Sequence, residues 1–132
     1  MSKDSNRIAI ALISDHKDDL LMGLREKEQK WTNPSGHIYE GECPYEGCRR
    51  ELLEETGLDV ISIELCRIEY NKKKGLMLYL FKVTVDPKQE IDFSNDPDKE
   101  FLSVGYIDPN EVADMLHVPI EENIALKYWA NH

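Results

Sequence analysis

Residues 36–58 read GHIYEGECPYEGCRRELLEETGL, and the rest of the chain is organised around them. Pro44 suits the first turn of a helix, because the N–H it lacks would find no intrahelical partner there. Gly57 suits the position after the last turn, where the chain turns left-handed. The expected helix is therefore Pro44–Thr56, with Cys43 a poor cap at its start. Glu51, Glu54 and Glu55 lie at i, i+3 and i+4, so three carboxylates share one face. Gly47, one turn earlier on that face, is expected to leave it sterically open. Tyr45, Cys48, Leu52 and Thr56 form an adjoining stripe suited to a core. Arg50, four residues before Glu54, can orient the acidic face.

Like charges at this spacing repel by several tenths of a kcal/mol per pair. One reading of the cluster is a solvated acidic face. The other is a site for a hard cation, because carboxylate oxygens suit Mg²⁺ or Mn²⁺. The wider spacing favours the second. Gly36 is followed after five residues by Glu42, and seven more lead to Arg50-Glu51-Leu52, then Glu54-Glu55, Gly57 and Leu58. This pattern resembles the Nudix box, G-x5-E-x7-R-E-U-x-E-E-x-G-U with U a bulky aliphatic residue, and every fixed position is met.

The resemblance implies a metal-dependent enzyme that hydrolyses a nucleoside diphosphate linked to another group. It implies Glu51, Glu54 and Glu55 as metal ligands, joined by the backbone carbonyl of Ser35. One glutamate also activates water: Glu51 or Glu55 within the box, or Glu100 outside it. Glu100 is read as an added metal ligand or the base, or else as a plain surface acid, with Asp96 and Asp98 as its rivals. Arg50 then orients the glutamates, Glu42 supports the loop or a second metal, and Gly36 and Gly57 serve backbone geometry. Arg25 is read either as a solvent-facing charge or as a phosphate or base contact. An arginine at this place before the box recurs among Nudix enzymes. The chain has Pro34-Ser35-Gly36 where family members often have Pro-Gly-Gly, and Asn33 where an apolar or aromatic residue is common.

Around the box, residues 7–14 (RIAIALIS) read as a buried strand and residues 20–25 (LLMGLR) as a second, expected to form a hairpin across the polar turn 15–19. Residues 60–70 and 76–85 read as strands, the latter as the central one, joined at a lysine-rich turn. Residues 86–99 hold two prolines and many acids without periodicity, and loops this long in small domains are often functional. Glu100 closes that loop ahead of a strand at 101–107. Asp108-Pro109-Asn110-Glu111 opens a short helix through residue 116, and residues 119–130 read as a last amphipathic helix. Asn123, near its start, is either a helix-surface residue or a reader of a nucleobase edge. Trp31 is read as core or loop packing ahead of a base-stacking platform. Strands, box helix, strands and terminal helices in this order suit an α/β/α sandwich with a mixed β-sheet.

A length of 132 residues supports one domain, residues 1–132, with a real core. No long apolar run is present, and the N-terminus runs into a strand without a signal-like segment, so neither a membrane span nor secretion is expected. Three cysteines without C-x-x-C spacing imply neither disulfides nor zinc and fit the cytoplasm. A net charge of −10 argues against binding polymeric nucleic acid, which needs a basic patch. A divalent ion can still bridge an acidic site to a small diphosphate. By the resemblance, candidate substrates are nucleoside triphosphates first, then dinucleoside polyphosphates, ADP-ribose and nucleotide sugars. A nucleotide-sensing module without turnover and an RNA 5′-end pyrophosphohydrolase are the alternatives, and a homodimer is open.

Overall fold

A computed structural model describes residues 5–94, 96 and 99–131. The elements run β1 (Arg7–Leu12), β2 (Leu20–Arg25), β3 (Trp31–Thr32), β4 (Ser35–His37), α1 (Pro44–Thr56), β5 (Val60–Asn71), β6 (Leu76–Val85), β7 (Phe101–Ile107) and α2 (Ile124–Ala130). Short 3₁₀ segments, Pro109–Met115 and Ile120–Glu122, precede α2. No helix among the described residues is long and apolar enough to cross a membrane.

The strands order as β4-β1-β6-β5 in a mixed sheet and β3-β2-β7 in an antiparallel one. β6 is interior, as its apolar sequence requires. Strand alternation divides the core into two layers. Ala9, Ala11, Phe81 and Val83 pack with Cys48 and Leu52 of α1. Leu12, Leu80, Ile124 and Leu126 form the opposite layer under α2. The result is the expected α/β/α sandwich around a mixed sheet.

Three expectations need correction. β1 and β2 do not form a regular hairpin. The Leu21 N–H reaches the Ile13 carbonyl at 2.8 Å and Ser14 bridges Leu20, but then the strands diverge into different sheets. Both edges of β1 are already taken, by β4 and by β6. The helix expected over 119–130 is broken at Asn123, whose backbone is extended (φ −94°, ψ 111°). Its side chain accepts the Leu126 N–H at 3.1 Å, so Asn123 caps α2 instead of continuing an earlier turn. The segment after Asp108 is likewise 3₁₀ with a kink at Val112, although Asp108 caps it as expected through the Asn110 N–H.

Candidate active site

Helix α1 has the expected bounds. Pro44 stands in the first turn, no side chain at Cys43 caps it, and Gly57 ends it at φ 71° with its N–H on the Leu53 carbonyl. Tyr45 is half exposed but sets its ring edge-on to Phe81, with centroids 5.1 Å apart. Gly36, in β4, lies against the glutamate face. A Cβ built there would overlap the Glu51 carboxylate, with Oε1 only 2.6 Å away. Gly47 does not leave the face open as expected. The preceding loop covers it, and a Cβ there would meet Ile38 and Glu42 Oε1 at 3.1 Å.

Arg50 fastens that loop. Its Nε and Nη2 donate to the two oxygens of Glu42 at 2.9 and 3.0 Å, and Nη2 also reaches the His37 carbonyl at 2.9 Å. Nη1 donates to Glu51 Oε1 at 3.0 Å and faces the Glu54 oxygens at 3.4 and 3.5 Å. The guanidinium lies 3.5 Å over the Tyr39 ring. Burial would lower its pKa, but the Glu42 and Glu51 carboxylates outweigh that and raise it. Glu42 also accepts the Tyr39 N–H at 2.9 Å, so it is engaged in supporting the loop.

Above this scaffold is a cavity of about 290 Å³, lined by Glu51, Glu55, Glu100, Arg25, Ser35 and Gly36 among others. Glu55 is 3% exposed and its Oε1 is buried without a hydrogen-bond partner. Burial pushes its pKa well above the usual carboxylate range, and Glu51, Glu100 and Asp96 push it further. The same surroundings drive the buried Cys48 thiol up to about 12, through burial first and then Glu55 and Glu51.

The loop after β6 supplies the acids from outside the box. The Asp92 N–H docks on the Thr56 carbonyl at 2.7 Å, at the end of α1. Asp96, also buried, accepts the Glu100 N–H at 3.3 Å. Glu100 is thereby brought beside Glu55, with which it shares a hydrogen bond. Asp98 lies outside the described residues.

Glu54 stands apart from the other two box glutamates. It does not line the cavity and leans instead towards Arg50. Among the described residues no three His, Cys, Asp or Glu side chains are already arranged to hold a metal ion. The donor set still fits a hard cation. Glu51, Glu55 and Glu100 offer oxygens to one cavity, and the unpartnered Glu55 Oε1 is the kind of buried atom that a cation satisfies.

Arg25 joins this cavity to a second cleft of about 420 Å³, whose walls include Ile8, Ile10, Leu78, Asn33 and Asn123. Asn123 Nδ2 donates to Asn33 Oδ1 at 3.2 Å, which gives the unexpected Asn33 a structural partner. Lys73 and Lys74 of the hairpin turn reach the rim of this cleft. Arg25 is not a plain solvent-facing charge: Glu28 Oε2 takes its Nε at 2.9 Å, and Glu100 lies 3.7 Å from its Nη1. Sequence reasoning passed over Glu28, Tyr39 and Arg7, whose Nη2 holds the Tyr39 and Glu42 carbonyls at 2.9 and 3.1 Å. Only Glu28, three residues from Arg25, left a local signal.

The NUDIX domain family matches residues 4–127 of the chain. A MutT-like protein of Streptomyces ambofaciens is 26% identical over 110 residues, covering 83% of this chain and 68% of that one. The dihydroneopterin triphosphate pyrophosphohydrolase of E. coli has a similar structure, with a TM-score of 0.75 at 18% identity and 97% of each chain covered. A MutT protein of Methanosarcina mazei Go1 gives a TM-score of 0.69 at 18% identity, over 95% of this chain and 92% of that one. With the box complete and a family match spanning nearly the whole sequence, the chain belongs to the NUDIX family of hydrolases.

Proposed function

We propose that the protein is a metal-dependent pyrophosphohydrolase that cleaves the diphosphate of a small nucleotide, with nucleoside triphosphates as the first candidates. The observation that carries this is the convergence of Glu51 and Glu55 from α1, Glu100 from the following loop and Arg25 from β2 on one cavity. NUDIX hydrolases generally use divalent cations, and here the ion is Mg²⁺, with Mn²⁺ as a substitute. Glu51, Glu55 and the Ser35 carbonyl would hold it, with Glu54 joining by turning away from Arg50. When bound, the ion neutralises charge on the diphosphate oxygens and lowers the pKa of water.

The chain's own groups do the rest. Glu100 or Glu55 takes a proton from the attacking water. Arg25 pairs with phosphate oxygens through its outer N–H groups. Arg50 holds Glu51 in place through the charge-assisted bonds described above. The nucleoside lies in the cleft over Ile8, Ile10 and Leu78, with Asn123 at its edge. Three free cysteines, one of them exposed, suit a reducing compartment such as the cytoplasm.

The test is release of phosphate and nucleotide from a panel of nucleoside diphosphate derivatives, each with Mg²⁺, with Mn²⁺ and with EDTA. The panel includes dihydroneopterin triphosphate, the compound named for the E. coli neighbour. Cleavage that depends on metal is the expected result. Silence across the panel, with metal binding intact, would instead favour a nucleotide-sensing module.

A further inference from the structure

We propose that Glu28 is a positioning residue: it holds Arg25 back from the carboxylates of the cavity and so keeps them available to the metal. The inference rests on reading the cavity as a metal site.

Among the described residues lining the cavity, Arg25 is the one lysine or arginine, and it shares the space with Glu51, Glu55 and Glu100. An acidic cluster with low-dielectric walls draws in any cation within reach. Glu100 Oε2 already forms a loose ion pair with Arg25 Nη1 at 3.7 Å, and a small rotation of the guanidinium would tighten it into a hydrogen bond. Glu28 opposes the rotation. Its Oε2 takes Arg25 Nε at 2.9 Å and Nη2 at 2.8 Å, so two of the three guanidinium nitrogens are turned to the same atom. Glu28 Oε1 is buried without a hydrogen-bond partner, which leaves the Oε2 contacts to hold this carboxylate.

The backbone fixes both partners. The β2–β3 turn is closed by the Arg25 N–H on the Lys30 carbonyl at 2.8 Å and the Gln29 N–H on the Arg25 carbonyl at 2.9 Å. Gln29 takes a left-handed conformation, φ 58°, to complete that turn. The Glu26 N–H binds the Glu100 carbonyl at 2.8 Å, tying the turn to the cavity. A register shift between Leu24 and Arg25 re-aims Arg25 at the end of β2, opposite Phe101. Bulges next to active sites commonly re-aim a side chain in this way. Arg25 is thus held between two acids, Glu28 outside the cavity and Glu100 inside it. In the grip of Glu28 it presents Nη1 to the cavity, where a phosphate can take it. Released, it closes on Glu100 and brings its positive charge among the carboxylates, Glu51 and Glu55, that would hold the cation.

The experiment is a Mn²⁺ titration by isothermal calorimetry on the wild type, Glu28→Ala, Arg25→Met and the double variant, with circular dichroism to confirm folding. Glu28→Ala is expected to weaken Mn²⁺ binding about fivefold, the upper range for one partly exposed ion pair. In the Arg25→Met background the same change should have no effect, because the residue to be held is gone. Glu28→Gln, which keeps the shape of the turn, should fall between wild type and Glu28→Ala. Steady-state kinetics should show KM for the nucleotide rising more than kcat falls.

Unchanged Mn²⁺ affinity in Glu28→Ala would overturn the proposal. So would an equal loss in the Arg25→Met background, since Glu28 would then act through its charge alone. A wild type that binds no Mn²⁺ would instead remove the metal reading itself, an outcome separate from a silent Glu28→Ala.

Discussion

The carboxylate of Glu51 occupies the space that a side chain at position 36 would need. A Cβ on Gly36 would stand 2.6 Å from Glu51 Oε1 and closer still to the other carboxylate atoms. The first glycine of the box is therefore an instruction about where Glu51 sits. The pairing of Gly36 with Ala9 fixes β4 against β1, so the backbone cannot yield and the glutamate must.

Gly36→Ala should leave the fold nearly intact and move the Glu51 carboxylate out of line. A displacement of about 1 Å at a catalytic group costs on the order of a hundredfold in rate. Turnover should fall by roughly that factor, while thermal unfolding shifts by only a few degrees. A variant with near-normal kcat and metal affinity would mean that Glu51 has room to step aside.

Arg50→Lys tests the link between loop and helix. The guanidinium serves Glu42 twice, Glu51 once and the His37 carbonyl once, and it covers the Tyr39 ring. A lysine is a point charge on a flexible stem and cannot reproduce that fork. Losing one or two charge-assisted hydrogen bonds should cost about 2 kcal/mol in urea unfolding. Activity should fall as well, because Glu51 loses its partner. Unfolding midpoints that coincide would mean that the network adds nothing to stability.

Much of the candidate site's geometry is legible in the sequence, and what is not has a common cause. Pro44 and Gly57 punctuate α1 by local backbone chemistry, so its bounds could be read directly. The face carrying Glu51 and Glu55 follows from helical period alone. Glu54 shares that face, yet only the reach of Arg50 decides that it leans away from the cavity. Strand periodicity identifies β1 without naming its partners, one of which is β6, far along the chain. Arg7 binds carbonyls 32 and 35 residues away, a contact that leaves no local trace. At Asn123 two local signals compete, apolar periodicity and the capping preference of asparagine, and the cap wins.

Glu55→Gln separates the electrostatic cost of the site from its use. Burial and the neighbouring acids raise the Glu55 pKa in the folded, metal-free protein. A carboxyl whose folded pKa is raised contributes full stability below its unfolded value and loses it as pH climbs through the folded value. Metal-free wild type should therefore lose stability from about pH 4.5 upward relative to the Gln variant, which has nothing to ionise. Differential scanning fluorimetry should find the variant level with wild type in acid and higher at pH 8. Mg²⁺ should raise the wild-type Tm and not the variant's, and Mg²⁺-dependent turnover should disappear. A variant less stable than metal-free wild type at pH 8 would contradict this account of Glu55.

Asn123 has two claims on it, as the cap of α2 and as a wall of the cleft proposed for the nucleoside, and two substitutions part them. Its Oδ1 accepts the Leu126 N–H at 3.1 Å while its Nδ2 donates to Asn33 Oδ1 at 3.2 Å. Asn123→Ala removes both and should cost about 1 kcal/mol, the usual loss for a helix cap. Asn123→Asp keeps an acceptor for Leu126. The Asn33 amide can then flip, so that its Nδ2, buried and without a partner, donates to the new carboxylate. Stability should return to within a few tenths of a kcal/mol of wild type. What the aspartate cannot restore is an amide donor facing the cleft. If Asn123 reads a base edge, KM for the preferred nucleotide rises in Asn123→Asp while the unfolding midpoint holds. If KM follows stability through both variants, Asn123 is a cap and nothing more.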